Sequence, residues 1–123
     1  MYIIEIRKTV VVSNQDIDDI MCTALEGGIT YWCNKVKVIG EYLGEWAHEQ
    51  ISRGGVLMVH PDDEAPRELT KEKLLGGIKQ AIEAGVYSEY EWYDANGIDT
   101  CNIDASVADC IVQLALFGEI VYG

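Results

Sequence analysis

Basic residues are scarce in this chain: nine lysines and arginines stand against 21 aspartates and glutamates, a formal net charge of −12. A field of that sign repels nucleic acid, nucleotides and anionic membranes unless a local basic patch intervenes. The available patches, Lys35 and Lys37 with Arg53 and Lys71 and Lys73 with Lys79, are thin. Direct nucleic-acid binding is disfavoured, whereas a basic protein partner would be attracted.

Long hydrophobic runs are also missing. No stretch approaches the roughly 18 apolar residues of a membrane span. The opening Met1-Tyr-Ile-Ile-Glu-Ile-Arg-Lys8 lacks the layout of a signal peptide, so a cytoplasmic protein with no membrane partner is expected. No CxxC pair exists, because Cys22, Cys33, Cys101 and Cys110 lie far apart, and free thiols are expected. A phosphate-cradling glycine loop, a GxSxG elbow and an HExxH helix are equally absent. Carboxylates are abundant, but no pair is marked out for general acid–base work. No catalytic residue is assigned, and a non-enzymatic protein is expected.

What remains describes a core. With 123 residues, 49% of them hydrophobic, the chain reads as one α+β domain over residues 1–123. A small antiparallel sheet packed with three to four helices is expected, the C-terminal helix largely buried. Residues 2–12 read as a first strand. Ser13 or Asn14 caps a helix on which Ile17, Ile20, Met21, Ala24 and Leu25 form one stripe, stopped by Gly27-Gly28. Residues 29–38 read as a strand, or a strand leading into a helix. Ile39, Leu43, Trp46, Ala47 and Ile51 then favour a helix closed at Gly54-Gly55.

Residues 56–60 form a strand, residues 61–66 a turn and residues 67–70 its return arm. Thr70 caps a helix with Leu74, Leu75, Ile78, Ala81 and Ile82 inward. Gly76-Gly77 within it costs about 1 kcal/mol per glycine relative to alanine, which implies that something packs close there. Residues 87–100 are an acidic, aromatic stretch around an Asn96-Gly97 turn. Asp104 caps the last helix and Gly118 ends it, with residues 119–123 as a closing strand. On that helix only Ser106, Asp109 and Gln113 make a polar stripe.

Chemistry-bearing residues are few. Cys33, His48, His60 and Cys101 form the one conceivable zinc set, but their spacing matches no motif, and structural thiols are the preferred reading. No cofactor is expected. Residues 94–99 resemble a calcium loop only briefly, since glycine is fourth rather than sixth.

The acidic residues are more suggestive. Asp16, Asp18 and Asp19 form one cluster, Asp62, Asp63 and Glu64 a second, and Glu89, Glu91, Asp94 and Asp99 a third. On a shared face they would imitate a phosphate backbone, although acid also serves solubility alone. Tyr90, Trp92 and Tyr93 among them suit an arginine-rich partner through cation–π contacts, or else cover a core as a strand.

Three segments carry a resemblance: Ala24-Leu-Glu-Gly-Gly-Ile-Thr-Tyr-Trp-Cys33, Glu49-Gln-Ile-Ser-Arg-Gly-Gly55, and Ile98-Asp-Thr-Cys-Asn-Ile-Asp-Ala105 with Ala115-Leu-Phe-Gly118. They resemble small acidic proteins of Firmicute phages and integrative elements. The resemblance implies a mobile-element accessory protein of anti-defence type, acting in the bacterial host cell on a basic partner such as a Cas effector. The expected contacts are Asp62, Asp63, Glu64, Glu89, Tyr90, Glu91, Trp92, Tyr93 and Asp94. The alternatives are a self-assembling protein that dimerises through the terminal helix near residues 112–116, and a small-ligand sponge lined by Tyr31, Trp32 and Trp46.

Overall fold

Ser13 starts the first helix by a reciprocal exchange. Its hydroxyl accepts the Asp16 N–H at 3.0 Å while its own N–H donates to the Asp16 carboxylate at 2.9 Å, a capping box. In the computed structural model, which describes residues 1–5 and 9–123, helix α1 spans Asn14–Thr23. It buries Ile17, Ile20 and Met21. The helix widens into a π-turn over Ala24–Gly28 and stops at the expected glycine pair. Gly28 is needed there, because a Cβ would lie 2.9 Å from the Ala105 carbonyl oxygen.

Three strands follow: β1 (Cys33–Ile39), β2 (Val56–Pro61) and β3 (Arg67–Leu69), paired antiparallel in that order. Val36 opposes Val59, Val38 opposes Leu57, and Leu57 opposes Leu69, so one face of the sheet is apolar and turned to the core. The register slips by one residue between Cys33 and Lys35. Residues 61–70 make the expected hairpin. Helix α2 (Lys71–Glu83) begins where the Thr70 hydroxyl accepts the Lys73 N–H, and it buries Leu74, Ile78 and Ala81. A two-residue ladder, β4 (Tyr93–Asp94) with β5 (Gly97–Ile98), encloses the turn at Asn96.

Helix α3 (Ala105–Phe117) is the centre of the fold. The Asp104 carboxylate accepts the Val107 N–H at 2.9 Å, and Gly118 closes the helix in the left-handed region at φ 72°. It packs against α2, the π-turn, β3 and α1. The close approach expected at the glycine pair of α2 belongs to Gly77 alone. A Cβ there would collide with the Ile111 carbonyl and lie 2.8 Å from Ala115 Cβ, whereas Gly76 has open space. One apolar cluster, from Ile17 to Leu116, joins all three helices and the sheet, so the chain is an α+β domain.

Three expected elements are absent. Residues 2–5 and 9–12 form no strand; the intervening Ile6, Arg7 and Lys8 lie outside the described residues. Tyr2, Ile3 and Ile4 stand exposed, while Val10 and Val12 lie beside Leu75 and Ile78 of α2 rather than on a sheet edge. The helix expected over residues 39–51 is broken by Gly40 (φ 81°) and Gly44 (φ 80°), and only a single 3₁₀ turn, Ala47–Glu49, survives. There Gln50, 1% exposed, holds the loop from inside: its Oε1 accepts the Leu43 N–H, and its Nε2 donates to the Leu43 and Trp46 carbonyls. Residues 119–123 likewise join no sheet, for a parallel reason given below.

Candidate functional site

The acidic residues divide by use. Those of α1 serve the fold: Asp16 caps the helix, Asp18 accepts the Ser52 hydroxyl at 2.5 Å, and Asp19 accepts the Thr100 hydroxyl at 2.9 Å. Asp62, Asp63 and Glu64 occupy the tip of the β2–β3 hairpin and are exposed. Glu89, Tyr90 and Glu91 are exposed on the approach to β4, and Asp94 is exposed within it. Tyr90 is 62% exposed and free to act as an anchor.

Trp92 is not. It is wholly buried, its indole N–H donates to the Val86 carbonyl at 2.7 Å, and its ring meets Tyr93 edge-on. The expected contact at Trp92 is therefore corrected to a core residue, while Tyr93 is half-buried. Around this turn lies a cleft of about 360 Å³ lined by Glu91, Tyr93, Asp94, Asp99 and Asn102 among others. Asn102 braces its wall by donating to the Glu91 carbonyl at 3.2 Å.

The two acidic groups flank α3. The second leads through the 3₁₀ turn Thr100–Asn102 into its N-terminus. The first is tied to its C-terminal half, because the Tyr122 hydroxyl donates to Asp63 at 2.5 Å. That bond, before burial, holds the Tyr122 phenol up at about 12.

Tyr122 opens onto a polar network that sequence patterning misread. Asp109 and Gln113 are 7% and 0% exposed rather than a wet stripe. Asp109 Oδ1 accepts the Trp32 indole N–H at 2.7 Å and the Gln113 amide at 2.9 Å, and Oδ2 accepts the Tyr31 hydroxyl at 2.5 Å. Burial first, then the bond to Asp109, pushes Tyr31 up to about 12. Gln113 Oε1 accepts both the Val121 and Tyr122 N–H groups at 2.8 Å, and its Nε2 reaches the Tyr122 carbonyl at 3.2 Å. The Gln113 amide thus satisfies the backbone of residues 121 and 122 in a turned conformation, which keeps the segment out of a sheet. The signal for this site was present in the sequence: a carboxylate and an amide at i and i+4 on an apolar helix, with no solvent face to hold them.

The remaining expected sites are scattered. Cys33 and His60 fall near each other on paired strands, but His48 sits in the 3₁₀ turn and Cys101 is exposed before α3. Among the described residues no three His, Cys, Asp or Glu side chains gather as a metal set. All four cysteines are free thiols, with burial pushing Cys22, Cys33 and Cys110 up. The face of Trp32 that the sponge reading needs is already stacked on Tyr122, and Trp46 stands exposed on the loop after β1. Val112 and Leu116 are buried in the chain's own core, so the helix side expected at a dimer interface is covered. Among the described residues no helix is long and apolar enough to cross a membrane. Protein-family models, curated proteins and solved structures offer no match to this chain.

Proposed function

We propose that the chain is a stoichiometric, non-enzymatic binding protein that lays its acidic loops on a basic surface of a nucleic-acid-processing host protein. The reading rests on one observation. The carboxylates of Asp62, Asp63, Glu64, Glu89, Glu91 and Asp94 are exposed and, among the described residues, none pairs with a cation. Among the described residues the ion pairs that do form are Arg53 with Glu49 at 3.0 Å and Lys79 with Glu83 at 3.9 Å, away from those loops. Asp63 and Asp94 are instead oriented by neutral donors, the Tyr122 hydroxyl and the Asn96 N–H. Charges held in place and not neutralised steer a cationic partner and fix its register.

The resemblance to phage and mobile-element proteins supplies the target class, a Cas effector or another defence nuclease of the bacterial host cell. Its cationic nucleic-acid groove would take the acidic loops, with Tyr90 and Tyr93 against arginine side chains. The test is a tagged pull-down from a lysate containing a CRISPR system, at low and high salt, with the retained proteins identified by mass spectrometry. Retention of a basic nucleic-acid enzyme at low salt, lost at high salt, is expected, together with inhibition of that enzyme by stoichiometric protein. A salt-insensitive partner, or an enzyme that is bound but fully active, would contradict the proposal.

A further inference from the structure

Gln113 holds residues 121 and 122 by their backbone alone. Its Oε1 gathers two successive N–H groups, which an extended strand would point to opposite sides, and its Nε2 donates to a carbonyl of the same segment. The clamp therefore takes a turned peptide backbone whatever its side chains. Beside it, Tyr122 lies flat on Trp32, with ring centroids 5.0 Å apart and planes within 3°, and meets Phe117 edge-on at 5.9 Å. Asp63 takes its hydroxyl. Backbone clamp, aromatic slot and phenol acceptor together describe a receptor for a turned segment carrying an apolar–tyrosine pair.

We infer that this groove is a peptide-recognition site, closed in cis by Val121 and Tyr122, that opens to receive a turned apolar–tyrosine segment of another protein. Three observations separate the groove from its occupant. Its floor is organised without residues 119–123, because Trp32 and Gln113 are both held by Asp109. The occupant is lightly held away from Tyr122: Glu119 and Gly123 are exposed, with Ile120 at 47% and Val121 at 43%. Gly118 ends α3 in a left-handed conformation, a pivot at which the segment can swing away without unwinding the helix. Once it leaves, the buried Gln113 oxygen has lost both donors, which favours replacement by another turned segment over an empty groove.

The inference does not depend on the acidic-surface proposal and is tested apart from it. The full chain carrying Tyr122→Ala is titrated with the blocked peptide Glu-Ile-Val-Tyr-Gly and with its Tyr→Ala analogue. Binding is followed by calorimetry and by the NMR signals of the Trp32 indole N–H and the Gln113 side-chain amide. The variant should bind the peptide at least about tenfold more tightly than wild type, since the cis competitor is weakened. The analogue should bind at least about tenfold more weakly than the peptide. Val121→Pro, which removes one of the two N–H donors of the cis segment and nothing of the groove, should also favour the peptide over the cis segment and serves if Tyr122→Ala does not fold. A folded variant whose Trp32 and Gln113 signals ignore millimolar peptide would overturn the inference. So would a wild-type dimer in sedimentation that exchanges residues 119–123, which would assign the groove to a second copy.

Discussion

At Asp109 one carboxylate takes three donors from three places in the chain: Tyr31, Trp32 and Gln113. Replacing it with alanine strands the Trp32 N–H in the core and leaves the Gln113 amide with the Tyr122 carbonyl and the Tyr31 hydroxyl. Asp109→Ala should therefore cost about 3 kcal/mol in urea unfolding, and a loss within experimental error would show that water replaces the carboxylate freely. The two shifted phenols add a pH signature. A tyrosine held at about 12 in the folded chain, against an ordinary value of 10.0, stays neutral longer when folded than when unfolded. Its contribution to stability is complete below about pH 10 and is lost as pH rises toward 12. Asp63→Asn should return Tyr122 toward the ordinary tyrosine value, because the bond to that carboxylate is the leading cause of the shift. Ultraviolet titration of tyrosinate checks this; two late-titrating phenols in the variant would refute it.

Elements in this fold are fixed by local caps and glycine contacts, and the adjacent glycines of α2 separate the two effects. Gly77→Ala must push α2 from α3 and should destabilise by about 1–3 kcal/mol. Gly76→Ala, in open space on the same helix, should stabilise by about 1 kcal/mol. Equal effects on thermal unfolding would contradict the packing described. The same contrast shows what the sequence made legible. Both long capped helices after residue 70, the 56–70 hairpin and a close approach at the α2 glycines followed from Thr70, Asp104, Gly118 and simple periodicity. Elements that depend on a distant side chain did not. The loop over residues 40–46 is held by Gln50, and residues 119–123 are held by Gln113, so neither glutamine's role shows in its neighbours. Trp92 is half legible: core-covering aromatics are one reading of residues 90–93, but a strand would put Tyr90 and Trp92 on one face. Instead Tyr90 is exposed and Trp92 is buried, its N–H held by the Val86 carbonyl just past the preceding helix.

The whole molecule combines an apolar centre, built on α3, with a surface of net charge −12. That charge opposes self-association and favours a cationic partner. Exposed carboxylates at both ends of α3 are the proposed contact. Asp63 belongs to the hold on Tyr122 as well, so the cleanest reversal leaves it in place. The deciding measurement is capture of the partner by wild type and by Asp62→Lys, Glu64→Lys, Glu89→Lys, Glu91→Lys together, side by side at low salt, with circular dichroism confirming the fold of both. Loss of at least about a hundredfold in affinity is expected, from four reversed charges each worth at least about 0.7 kcal/mol. A folded reversal variant that binds the same partner as tightly as wild type would contradict the acidic-surface function.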